Sequence, residues 1–269
     1  MNPQHSVFAG SIPELYDRCL GPLIFEPYAI DLAERAANLS PSIVLETAAG
    51  TGIVTLELAK RLGSAVQIHA TDLNQPMLDI AGAKISSPNV ILKQADATAL
   101  PFSDGQFDVV VCQFGVMFFP DKHLAFQEAF RVLTTGGHFL FNVWDRLERN
   151  EMPHVADQAL EGILKNNSPS FFRQTPYGYN DASKIKATLN EAGFSTVHFE
   201  RVARKSRAPS AAVVALGICQ GTPMRGEIEA RGPAGLDAAT ADVETALVDR
   251  FGPGPIEGNI QAIVFTAVK

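Results

Sequence analysis

Cysteine is scarce in this 269-residue chain: Cys19, Cys112 and Cys219 stand far apart, odd in number and without Cys-x-x-Cys spacing. That pattern argues against a disulfide framework or a zinc site, so no metal is expected and the three are read as reduced, buried thiols. Positive charge is short as well. Lys and Arg number 22 against 29 Asp and Glu, a net charge of −7, which disfavours a nucleic-acid partner held on a broad basic face. No apolar run reaches the length that spans a bilayer, so stable membrane insertion is not expected. The start Met1-Asn2-Pro3-Gln4-His5 has neither a basic n-region nor an apolar h-region, and a cytoplasmic address follows as the expectation. Neither an internal repeat nor a low-complexity tract interrupts the chain, whose length suits one large α/β domain with insertions.

What the sequence does have is a stretch around which the rest is organised. The run Val44-Leu45-Glu46-Thr47-Ala48-Ala49-Gly50-Thr51-Gly52 is followed by Val54, Leu58 and Leu62 at helical spacing, so a strand, a tight turn and a helix are predicted. Glycines at 50 and 52 suit a backbone that takes unusual dihedrals or lets a ligand approach closely. The helix that follows turns its free N–H groups toward the same point.

Further strands are predicted over 66–72, ending in Asp72, over 89–96, ending in Asp96, and over 107–113, where near-continuous apolar residues indicate burial on both faces. Asp72 lies twenty positions beyond Gly52, the separation at which an α/β nucleotide site presents a carboxylate to ribose hydroxyls; a helix N-cap is the competing role. Phe126, Ala129, Phe130 and Leu133 mark an amphipathic helix expected to stop at Gly136-Gly137, before a fifth strand over 138–144. This alternation predicts a mostly parallel sheet with helices on both faces.

Before and after that core the rhythm changes. An N-terminal segment is predicted as two helical pieces opened by Pro13 and Pro27 and broken at Gly21-Pro22, with Tyr16, Phe25 and Tyr28 either packing under a flap or walling a site. Residues 145–180, with Pro153, Pro169, Pro176 and paired aromatics, suit a partly helical lid. Asp181 then caps a helix through Ile185 and Leu189, strands cover 197–202 and 262–267, and helices over 210–217 and 238–251 flank a loop from Thr222 to Gly235. Arg201, Arg204, Lys205 and Arg207 read as a solvated strand edge. The boundaries drawn are a flap over 1–40, a cofactor-binding core over 41–145, a lid insertion over 146–180, and completion of the sheet with a helical pair over 181–269.

Glu46-x-Ala48-x-Gly50-x-Gly52, Asp72 after the second strand, Asp96-Ala97 after the third, Phe107-Asp108 opening the fourth and Arg131-Val132-Leu133-Thr134-Thr135-Gly136-Gly137 before the fifth form an ordered set. The set resembles class I S-adenosylmethionine-dependent methyltransferases, especially the type-11 group with ubiquinone-biosynthesis-like enzymes. That resemblance implies a Rossmann-like seven-stranded sheet with an antiparallel last strand, S-adenosyl-L-methionine as cofactor and S-adenosyl-L-homocysteine as product. It also implies roles. Glu46 would lie near the cofactor's amino group and the turn backbone. Ala48, Gly50, Thr51 and Gly52 would form the loop against the methionyl part, Asp72 would bind the ribose diol, and Leu73 and Met77 would pack on adenine. Asp96 and the Ala97 backbone would read the adenine edge, while Gln113 and Phe114 would border the sulfonium.

Ala48 replaces the family's usual glycine and is tolerable if it keeps a negative φ; Thr134-Thr135 replace a common Lys-Pro. A nicotinamide-binding protein is a competing reading, but the third position of its glycine fingerprint is Thr55 here and Asp96-Ala97 would go unexplained. A cofactor-free scaffold is another, and it has no need of converging acids.

Methyl transfer rests on alignment and needs no covalent residue. Tyr16, Phe25, Phe118, Phe119, Phe171, Phe172 and Tyr177 are the candidate walls for a small, partly apolar methyl acceptor, with the lid and flap closing over the cofactor. His123 and His154 are candidate bases, His69 and His138 weaker ones, and none is assigned. Oligomeric state is not legible.

Overall fold

Apolar β-branched runs bounded by small and polar turns give seven strands: β1 (Ile43–Thr47), β2 (Gln67–Asp72), β3 (Val90–Gln94), β4 (Phe107–Gln113), β5 (Leu133–Trp144), β6 (Thr196–Ala208) and β7 (Ile256–Val268). The computed structural model describes residues 10–164, 171–231 and 235–269. The strands form one sheet in the order β3-β2-β1-β4-β5-β7-β6. Pairing is parallel from β3 through β5. The last strands pair antiparallel: Gly136 N–H donates to the Lys269 carbonyl and Asp145 N–H to that of Gln261, while Ser195 N–H donates to the Val268 carbonyl. This is the expected Rossmann-like sheet, with β7 inserted between β5 and β6.

Helices α1 (Ile12–Leu15), α2 (Glu26–Asn38), α3 (Ile53–Leu62), α4 (Gln75–Lys84), α5 (Lys122–Val132), α6 (Glu151–Leu164), α7 (Phe171–Gln174), α8 (Ala182–Glu191), α9 (Ala211–Gln220), α10 (Met224–Arg231) and α11 (Gly235–Phe251) complete the described chain. Strand β4 is buried along most of its length, Val109 to Cys112 being sealed, as its unbroken apolar run requires. Asp181 caps α8 by accepting from Ser183 and Lys184 N–H groups. The basic stripe lies on β6, at the sheet's edge, where Lys205 and Arg207 pair with Glu257.

By compactness the chain divides into two units. One holds the described residues up to Glu26 with Trp144–Tyr179 and Val202–Ala262; the other holds Pro27–Val143, Asn180–Arg201 and Ile263–Lys269.

Several expectations need correction. Gly21-Pro22 does not break the N-terminal helix: Tyr16–Phe25 forms a π-helical segment joining α1 to α2, with Pro22 inside it and Glu26 N–H donating to the Gly21 carbonyl. Proline's ring strikes the carbonyl four residues back in an α-helix, and the wider five-residue register moves that carbonyl away. Helix α5 stops at Val132, not at Gly136-Gly137. Leu133 is already drawn into the sheet opposite Phe107, and the glycines sit where the β4–β5 register shifts. The predicted loop from Thr222 holds α10; the Thr222 hydroxyl accepts from Met224 N–H, and Pro223 suits a first helical turn. Strands β6 and β7 are longer than the sequence suggested. Pro169 and the opening Met1 to His5 lie outside the described residues.

Candidate functional site

The parallel registers bring the C-terminal ends of five strands to one edge. Thr47 lies opposite Thr71, Asp72 opposite Gln94, and Gln113 opposite Asn142. From β1 the chain winds outward through β2 and β3 on one side and β4 and β5 on the other. The order therefore reverses between β1 and β4, where open α/β sheets leave a crevice for ligands.

The turn after β1 is set by three left-handed residues, Ala48 (φ 52°), Gly50 (φ 56°) and Gly52 (φ 80°). Ala48 thus lacks the negative φ on which its tolerance was argued. Its methyl makes this conformation cost about 1–2 kcal/mol, strain of a kind that clusters at functional sites. Gly50 is open, since an added Cβ would meet only Met77 Cε, at 3.6 Å. Gly52 is needed for another reason. A Cβ there would lie 2.8 Å from Ile85 Cδ1 and 3.0 Å from Ala81 Cβ, so its bareness lets α3 start against α4. Thr51 is buried, and its Oγ1 has no hydrogen-bond partner among the described residues.

Two acids stand behind this turn. Glu46 is 1% exposed and accepts from Thr55 Oγ1 at 2.6 Å. Burial pushes its carboxyl up to about 8, the Thr55 hydrogen bond opposes the rise, and the Asp72 charge adds to it. Asp72 is also buried, and its carboxyl is raised by desolvation against the pull of its hydrogen bonds. Its Oδ2 accepts from Gly50 N–H and its Oδ1 from Asn74 N–H, both at 2.8 Å. Asp72 therefore ties the glycine turn to the start of α4, with Asn74 at the N-cap position. The N-cap position weighed for Asp72 in the sequence thus belongs to Asn74, and the bond from Gly50 N–H is the part of the tie that the sequence did not disclose.

Beyond it, Leu73 is 52% exposed and Met77 is buried. Gln94 Nε2 donates to the Leu73 carbonyl. Asp96 is exposed, its Oδ1 accepting from the Thr98 N–H and hydroxyl, with Ala97 half-buried beside it.

At the exit of β4, Phe114 is again left-handed, φ 49°. Its N–H donates to Asn142 Oδ1 at 2.9 Å and more weakly to the Asn142 carbonyl at 3.3 Å. The Tyr28 and Phe114 rings meet edge to face at 5.4 Å. Gly115 must be glycine for space, because a Cβ would fall 2.5 Å from Ala48 Cβ and 2.7 Å from Cys112 Sγ. Gln113, Phe118 and Phe119 are half-buried along this exit. His123 is half-buried at the start of α5.

In the other unit, Tyr16, Phe25, Trp144, Tyr177, Phe172 and Phe171 form a continuous run of rings with successive centroids 4.7, 6.3, 6.0, 5.5 and 5.8 Å apart. Five of the seven wall candidates are thus gathered together, but four of these five are buried against their neighbours. Phe25 is buried in this run, in keeping with packing, one of the two roles left open for it in the sequence. His154 lies on α6, where Asp157 is buried and ion-paired to Arg173. Sequence reasoning missed Thr55, Asn142 and Trp144. Asn142 had a signal, a lone amide in the run Phe139-Leu140-Phe141-Asn142-Val143.

A family model described as a methyltransferase domain matches residues 44–137. The ubiquinone/menaquinone biosynthesis C-methyltransferase UbiE of Cronobacter sakazakii is 30% identical over 169 residues, 58% of this chain and 67% of that protein. A demethylmenaquinone methyltransferase of Lactococcus lactis is 28% identical over 210 residues, 71% of this chain and 82% of its own length. Among solved structures, phosphoethanolamine N-methyltransferase 2 of Haemonchus contortus in complex with S-adenosyl-L-methionine shares the fold at TM-score 0.61 and 17% identity, covering 96% of this chain and 56% of that one. The matched domain holds the strand ends that carry Glu46, Asp72 and Gln113, and the chain belongs to the class I S-adenosylmethionine-dependent methyltransferases, with S-adenosyl-L-methionine as methyl donor and S-adenosyl-L-homocysteine as product.

Proposed function

We propose that this enzyme transfers the methyl group to a small, partly apolar acceptor by in-line displacement, with the cofactor held along the ends of β1 to β4. The observation that carries the reading is the turn at the sheet's reversal point, where Gly50 is open and Thr51 Oγ1 is buried with its hydrogen-bonding capacity unspent among the described residues. A polar ligand fits there, since a buried hydroxyl without a partner is costly. Asp72 accepts from the Gly50 and Asn74 N–H groups and more weakly from Asn74 Nδ2, and its remaining lone-pair capacity would serve a ribose diol. Exposed Leu73 beside Met77 suits an adenine face, with Asp96 and Ala97 at its edge. Ala48, Gly50 and Thr51 would run along the methionyl part near Glu46, and Gly52 would act by seating α3 on α4. Gln113 and Phe114 would border the sulfonium.

When bound, the cofactor supplies an electrophilic methyl group on a sulfonium. The protein's part is to hold the nucleophile in line with it and keep water out, which accounts for a site without an assigned covalent residue. Phe118 and Phe119, half-buried past the β4 exit, are the acceptor walls proposed in this unit. The relatives' names, quinone-pathway C-methyltransferases, accord with an acceptor that presents an apolar ring.

Calorimetric titration with S-adenosyl-L-methionine, S-adenosyl-L-homocysteine and NAD tests the seat: the first two should bind and NAD should not. A methyl-acceptor screen with ring compounds and with highly charged amines follows. Preference for the charged amines would refute the proposed acceptor class.

A further inference from the structure

Asn142 is fully buried near the C-terminal end of β5, between the apolar Phe141 and Val143. A leucine of similar size would be the inexpensive residue there, and a buried amide needs both its halves satisfied. Its Oδ1 accepts the Phe114 N–H at 2.9 Å, while its Nδ2 is buried without a partner among the described residues. Phe114 is the residue the backbone least readily accommodates at this point, a bulky side chain at φ 49° immediately after the last residue of β4. The left-handed turn directs the chain away from the sheet into Gly115, whose bareness admits Ala48 and Cys112. Gln113 and Asn142 are in register across β4 and β5, so the amide sits beside the turn it holds.

We propose that Asn142 is a positioning residue for methyl transfer: its side-chain oxygen locks the left-handed exit of β4, and that lock places Gln113 and Phe114 against the cofactor. The proposal rests on the reading of Gln113 and Phe114 as cofactor neighbours. Asn142 itself acts through Phe114. Its unspent Nδ2 lies at the same exit, a second sign that the amide is kept for the site and not for the packing of β5.

The test is S-adenosyl-L-homocysteine affinity, measured by calorimetry on the purified full chain and four variants, with amide exchange at Phe114 as a structural readout. Asn142→Leu should weaken binding about tenfold, the value of one good hydrogen bond to a positioned group, and speed exchange at Phe114. Glycine adopts the left-handed conformation without help. In a Phe114→Gly background the same Asn142→Leu change should therefore cost much less affinity. Asn142→Asp keeps an oxygen where the Phe114 N–H needs it and should bind within about threefold of the parent, a small fraction of a hydrogen bond's worth.

Unchanged affinity in a folded Asn142→Leu variant would overturn the proposal, as would an equal loss in both backgrounds. Should Asn142→Leu not fold, Asn142→Asp decides: a tenfold loss with the acceptor retained overturns the lock. Phe114→Gly alone distinguishes the underlying reading for Phe114, because unchanged affinity there removes that side chain from the cofactor site whatever Asn142 does.

Discussion

Glu46 makes stability fall where most carboxylates make it rise. Its folded carboxyl is raised from the ordinary 4.5 to about 8 by burial, so between those values the native chain holds a proton that the unfolded chain has lost. Stability from this group is full below pH 4.5 and is lost as pH rises toward 8. At about 1.4 kcal/mol per pH unit the group should remove roughly 3 to 4 kcal/mol between pH 5 and pH 8. Glu46→Gln keeps an oxygen for the Thr55 hydroxyl and removes the titration.

Urea unfolding of both proteins at pH 5 and pH 8 reads the effect, because carboxylates that do not sense Glu46 cancel in the difference; Asp72, whose charge adds to the Glu46 shift, is part of what the comparison measures. The variant should lose several kcal/mol less than the parent over that interval, and parallel pH curves for the two would refute the reasoning. A cationic ligand beside Glu46 would favour its charged form. Binding of S-adenosyl-L-methionine at pH 7 should then release a proton, seen as a calorimetric enthalpy that varies with the buffer's ionisation enthalpy in the parent and less in Glu46→Gln.

Asp72→Ala removes the acceptor of two backbone N–H groups and should cost on the order of 2 to 4 kcal/mol in stability; S-adenosyl-L-methionine affinity measured on the folded protein should fall at least about tenfold, and unchanged affinity would sink the ribose assignment. Gly115→Ala drives a methyl into Ala48 Cβ and Cys112 Sγ and should destabilise by about 1–3 kcal/mol. Adding Ala48→Gly should recover part of that loss in thermal unfolding, since one of the two collisions and one left-handed methyl disappear together. Asp181→Ala, which uncaps α8, should cost about 1 kcal/mol in denaturant unfolding and leave cofactor affinity unchanged.

The cofactor half of the chain was legible because its rules are local. A strand that ends in an acid, a turn with glycines at 50 and 52 and a helix at once afterward are written in consecutive residues, and β4 announces its burial by composition. The errors arose where a distant partner decides. Nothing near Leu133 says that Phe107 will draw it into the sheet before two glycines are reached. Pro22 reads as a breaker until the helix takes a register that spares its ring. Ala48 illustrates the limit most clearly: its sign of φ follows from how the turn meets Thr71 and Asp72, through Ala49 and Gly50 N–H groups, and no property of alanine foretells it. Asn142 was visible as an anomaly, yet its meaning came only with Phe114 beside it.

The placing of β7 between β5 and β6 has a consequence for how the protein is made. Strands β1 to β5 can pair with one another as they leave the ribosome, but β6 has no neighbour until the last strand of the sheet has been synthesised and has entered between them. Until then β5 and β6 both present open edges, and such edges recruit other chains. A nascent chain halted before Ile256 should therefore aggregate although its cofactor turn is already complete, and the basic residues along β6 are suited to keep that waiting strand apart from its copies.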